Sequence, residues 1–171
     1  MHFHHYHYYT QIDWVAVISA IAALIAASVA GYQAWLLRFS NNANLILKFD
    51  EQFNSDSFIK TRAKAAKAIK AIDRENKDDI EDVLDFFETV GLMVRRKGLD
   101  KEMVWHTFFY WIHGYCNNTE DLIASQRKLY PNRYCDIIEL HSEMLCIEQS
   151  NHGPINESEW SGFLEEEQRL E

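Results

Sequence analysis

The chain has 171 residues with 26 acidic against 17 basic side chains, a formal charge of −9. Asp13 and Arg38 cancel within the first 38 residues, so the acidic excess lies entirely beyond them and argues against duplex nucleic acid as a partner. The three cysteines, Cys116, Cys135 and Cys146, form no even-numbered framework of the kind secreted domains use, which fits a reducing compartment.

The first ten residues, MHFHHYHYYT, hold four of the eight histidines. Neutral imidazoles at His2, His4, His5 and His7 are of the type that binds transition metals, but nothing in the tract fixes their geometry. An expression remnant or a misassigned start reads equally well.

From Trp14 to Leu37 no residue carries a formal charge. Twenty-four helical residues at 1.5 Å each span about 36 Å, enough for a hydrocarbon core of about 30 Å. Asp13 and Arg38 bracket the run, and Trp14, Tyr32 and Trp35 stand near its ends, where amphipathic rings favour headgroups. No basic residue precedes it and no cleavage site follows, so a retained anchor is expected over 13–38 rather than a signal peptide. The alternative for an alanine-rich run is the buried core helix of a soluble protein. Arg38, Lys48 and a basic cluster from Lys60 to Lys70 predict N-out, C-in topology, with the C-terminal domain in the cytoplasm. Ser19, Ala23, Ala27 and Gly31 recur every fourth residue, a small-residue stripe along which two anchors can pair into a homo-oligomer.

Beyond the anchor, apolar spacing is helical nearly throughout, predicting an all-α fold: one N-terminal transmembrane helix, then a small cytoplasmic bundle over 39–150. Leu45, Phe49 and Phe53 share a face in a segment that either continues the anchor helix or stands alone. Ser55 or Asp56 can cap a helix reaching about Ile72. Lys60, Lys64 and Lys67 lie on one side of it, suited to anionic headgroups, an acidic partner or plain solvent. Arg62 points from the middle of the apolar arc of Phe58, Ala65, Ala66 and Ile69, so it needs a carboxylate.

The next helix, Asp79 to Lys97, turns Ile80, Val83, Leu84, Phe87, Gly91 and Val94 to one face, widened by Phe86 and Val90. Asp85 or Glu88 is the carboxylate expected to pair with Arg62. Gly98 is placed to end the helix in a left-handed conformation. Asp100 can cap the helix Lys101 to about Cys116, whose aromatic residues surround most of its circumference and make it central.

The order of an anchor, an Arg-bearing Ala-rich helix, the string Val83-Leu84-Asp85-Phe86-Phe87-Glu88-Thr89-Val90-Gly91-Leu92, a basic turn closing on Gly98, and Val104-Trp105 followed by Tyr110-Trp111-Ile112 resembles a bacterial family of uncharacterised membrane-associated proteins, catalogued as a domain of unknown function. The resemblance covers roughly residues 40 to 140. It implies a helical domain tethered to a bacterial inner (cytoplasmic) membrane and carries over no catalytic residues or cofactor.

His106 and His113 share one side of the aromatic helix but lie about 10 Å apart along it, too far for one metal ion. No HExxH or ExxH pair occurs, nor any phosphate-loop, nucleophile-elbow or dinucleotide fingerprint, so no cofactor is expected. Thr119 to about Leu129 and Arg133 to Gln149 complete the bundle, the latter with Ile137, Ile138, His141 and Leu145 inward. Asn156 with Glu159 can cap a last helix, Ser158 to Leu170, contacting through Trp160, Phe163 and Leu164. Residues 157–171 hold six glutamates and one arginine. A solvated, partly frayed end over 151–171 is expected, with folding back on the Lys60–Lys70 helix or capture of a basic partner as alternatives.

The function expected is that of a membrane-anchored protein-interaction or regulatory module with an unidentified protein partner. Two other classes stay open. One is an oligomerising membrane effector of a defence or superinfection-blocking type; the other is a hydrolase using Asp85, Glu88 or His113.

Overall fold

A computed structural model describes residues 14–71, 77–156 and 160–170. The chain divides into two units, 1–41 and 42–171. The histidine tract and Asp13 lie outside the described residues.

Every regular element among the described residues is a helix: α1 (Trp14–Phe53), α2 (Asp56–Ala71), α3 (Lys77–Arg95), α4 (Lys101–Asn118), α5 (Glu120–Leu129), α6 (Cys135–His152) and α7 (Phe163–Gln168). α1 is unbroken, so the Leu45–Phe53 segment continues the apolar helix. Residues 14–40 are all exposed, among them Trp14, Leu24, Ile25 and Leu37, which leaves no support for a buried core helix there. One helix among the described residues is long and apolar enough to cross a membrane.

In the second unit, α3 packs chiefly on α6 and α2, and α4 on α6. The amphipathic face of α3 is buried as its spacing predicts, except for half-buried Val94. Gly91 lets α3 and α6 meet closely, because a Cβ there would overlap the Asp136 carbonyl. Two charged contacts flank that approach. Arg95 pairs with Asp136, Nε to Oδ1 at 2.5 Å. Glu88 accepts the Ile137 amide at 2.7 Å, capping the first turn of α6 from another helix.

The helix ends differ from expectation in three places. Lys97, not Gly98, takes the left-handed conformation (φ 58°); the Gly98 and Leu99 amides then both reach the Met93 carbonyl, and Leu99 enters the core. α6 starts at Cys135, after a left-handed Tyr134 whose ring is fully buried, and its inward ridge is Ile137, Leu140 and Met144. Ser158 and Glu159, where the last helix and its cap were expected to begin, lie outside the described residues; among the described residues that helix is Phe163–Gln168, preceded by Gly162, which provides no side-chain cap. Asp100 caps α4 as predicted, accepting from Glu102 and Met103.

The acidic end is not a frayed tail. Residues 160–170 fold back, α7 lying on α2, with Phe163 and Glu167 buried and Lys70 paired to Glu165 at 2.6 Å.

Candidate functional site: the Arg62 cleft

The most developed polar constellation centres on Arg62, in the middle of α2 and 3% exposed. A guanidinium so placed costs several kcal/mol unless its protons are met. Nε donates to Glu167 Oε2 at 2.9 Å and Nη2 to Glu167 Oε1 at 2.6 Å, a bidentate fork. Nη1 donates to the Phe53 carbonyl at 3.3 Å, satisfying an orphan acceptor at the C-terminal end of α1. The Phe53 ring lies 4.0 Å from the guanidinium carbon and the Trp111 ring 5.4 Å, so aromatic faces enclose the cation.

Glu167 is met by two further donors, Tyr115 Oη at 2.8 Å and Trp111 Nε1 at 3.1 Å. Burial and the Glu167 carboxylate push the Tyr115 phenol well above its ordinary pKa, so it stays protonated and acts as a donor. Around this centre Phe163 packs edge-on to Tyr115 and Tyr110, over Gly114, where a Cβ would overlap its ring. Tyr110 donates to Glu166 at 2.5 Å and stacks on Trp160.

The partner of Arg62 is therefore Glu167, not Asp85 or Glu88. The arc that turns Arg62 inward was legible, but the carboxylate arrives 105 residues later in sequence. Asp85 is exposed; partial burial pushes its carboxyl up while Arg133 pulls it down. Glu88 is committed to the α6 amide.

A second cluster joins α4 to α6. His113 Nδ1 and His141 Nε2 lie 2.9 Å apart, and Asn117 Nδ2 lies 3.0 Å from His113 Nε2. Because the Asn117 amide nitrogen only donates, His113 carries its proton on Nδ1 and donates to His141. Burial, and then electrostatic opposition from the neighbouring His113 ring to a second charge, push His141 down to about 4. Phe109 stacks on His113 and Trp160 meets it edge-on. His106 stands apart, exposed and against Trp105. No group of three or more His, Cys, Asp or Glu among the described residues is placed to hold a metal ion.

The other sequence candidates occupy simple settings. Lys60, Lys64 and Lys67 are exposed on α2; Ser19, Ala23, Ala27 and Gly31 are exposed on α1, with open space where a Gly31 Cβ would stand. The cysteines are free thiols, Cys116 buried and pushed up to about 12.

The sequence matches the family described as "Domain of unknown function (DUF4760)" over residues 14–144. The chain belongs to this family. The DUF4760 match takes in α1 to α5 and most of α6, including Phe53, Arg62, Trp111 and Tyr115, and stops before α7. No curated protein and no solved structure matches the chain.

Proposed function

We propose that the protein is a single-pass membrane protein holding residues 42–171 at the cytoplasmic face as a protein-interaction module. The observation that carries this reading is the N-terminal part of α1: an uncharged helical run about 36 Å long whose large apolar side chains are all exposed. In water such a surface is costly at about 25 cal/mol per Å², and a bilayer removes the cost. Arg38 and Lys48 after the span, and exposed Lys60, Lys64 and Lys67, favour the C-terminal side facing the cytoplasm.

The interaction role is supported by the chemistry of the Arg62 cleft. Its cation and its neutral phenol and indole donors converge on a carboxylate, an arrangement for recognising a group rather than transforming it. Asp85, Glu88 and His113, the residues a hydrolase reading relies on, serve different neighbours.

The test is fractionation of cells expressing the full chain, a carbonate wash of the membranes, and protease treatment of sealed inverted and right-side-out vesicles. Retention in the washed pellet, with the C-terminal unit digested only in inverted vesicles, is expected. Release by carbonate overturns the membrane reading, and digestion of that unit in right-side-out vesicles overturns the orientation.

A further inference from the structure

α7 has six residues, too few to persist as a helix alone, so it is ordered by what it docks against. The cleft is built differently. Phe53 is held by the rings of Phe58, Phe86, Phe87 and Phe108, and Arg62 is tied to the Phe53 carbonyl, all without α7. What α7 adds is an aromatic plug, Phe163, and a carboxylate, Glu167, four residues apart on one helical face. The cleft residues that meet them lie inside the family match and the plug lies outside it. Without the plug, four donor groups would face an empty carboxylate position beside a glycine-floored aromatic slot.

We propose that the Arg62 cleft is a peptide-recognition site for a helix bearing an aromatic residue and a glutamate four positions later, and that residues 160–170 are its resident ligand, bound in cis and releasable. This deepens the interaction reading and rests on it. A partner helix with the same spacing competes with α7 for the cleft, using a helix-in-groove mode with one buried, bidentate charge contact. While α7 stays tethered it competes at an effective concentration on the order of millimolar, which screens the site from weak ligands.

The test uses the full chain in detergent micelles, with a protease recognition sequence in place of residues 157–159. After cleavage, the segment from Trp160 onward is held only by its contacts. A fluorescein-labelled peptide of residues 160–171 is then added and followed by anisotropy. The expected result is saturable uptake by the cleaved protein, with uptake by the uncleaved protein at least about tenfold weaker. Unlabelled peptide displaces the label, and peptides carrying Phe163→Ala or Glu167→Gln compete at least about tenfold more weakly. Loss of helical circular dichroism on cleavage overturns the proposal, because α7 is then an integral part of the core. So does absence of uptake by a cleaved protein that stays folded, or equal competition by the Glu167→Gln peptide. None of these readings needs a bilayer, so a failure here leaves the fractionation result standing, and the converse holds.

Discussion

Glu167→Gln keeps the shape of the side chain and removes its charge from a site where Arg62 and Glu167 are each only 3% exposed. Two charge-assisted hydrogen bonds, at 2.9 and 2.6 Å, become at best one neutral bond, and each charged bond is worth about 1.5–3 kcal/mol. Arg62 keeps the Phe53 carbonyl and ring, which offset a small part of the loss. The protein also has an escape route, since α7 can leave and let water reach the guanidinium, at the cost of exposing Phe163, about 2–3 kcal/mol. The expected loss is therefore about 3 kcal/mol, bounded by the docking free energy of α7 and below the upper end for buried pairs. For a unit of this size that lowers Tm by about 10 °C.

The partner substitutions decide whether the pair itself is responsible. Arg62→Met should cost a similar amount, and Arg62→Met with Glu167→Met should recover part of it, because matched apolar groups replace a buried ion pair at little cost but leave the Tyr115 phenol and the Trp111 indole without their carboxylate. Urea unfolding of the detergent-solubilised chain, with Glu167→Met as the second single variant, followed by circular dichroism and tryptophan fluorescence, gives all four corners of the cycle. A coupling energy below about 0.5 kcal/mol, the level of an exposed pair, would refute the argument.

Three other perturbations probe other parts of the chain. His141 is held at about 4 in the fold against 6.5 when unfolded, so the unfolded state binds more protons between those values; stability should fall by about 2–3 kcal/mol as pH drops from 6.5 to 4, and a His141→Asn variant should lose that part of the slope in matched unfolding titrations. Gly91→Ala gains about 1 kcal/mol of helix propensity but forces α3 away from the Asp136 backbone; we expect a net loss of about 2 kcal/mol in urea unfolding, and a stabilised variant would mean the helices are not in close contact. Leu24→Arg puts a charge near the middle of the span at a cost of about 3 kcal/mol; it should raise the fraction released by carbonate, and unchanged retention would count against insertion.

The elements of this fold were legible wherever the signal was local. The α4 cap at Asp100, the buried face of α3 and the inward direction of Arg62 each follow from residues within about two helical turns. Features decided by packing were not. Glu88 read as a candidate partner of Arg62 and proves to be the cap of α6, a role set by the close approach at Gly91. His113 was grouped with His106 on its own helix because its true neighbour, His141, which faced inward in the periodicity, comes from a different helix. The left-handed residue fell on Lys97 because the turn must deliver Leu99 to the core, and tertiary demand overrode the preference for glycine at Gly98.

The acidic end shows most clearly why composition misleads. Six glutamates in fifteen residues read as a solvated tail, yet Glu165, Glu166 and Glu167 go to three different donors: Lys70, Tyr110 and the Arg62 fork. Glu165 sits in an exposed pair that contributes little. Only Glu167 fills a position that nothing else in the described structure satisfies. A six-residue helix whose buried anchors are one carboxylate and one phenylalanine, its other contacts being exposed or half-buried, is the kind of element expected to open at a free energy well below that of global unfolding. When it opens, it uncovers a buried cation. The same contact that anchors α7 thus makes its absence costly, so the cleft is disposed to be occupied, whether by its own chain end or by a helix that presents the same two groups.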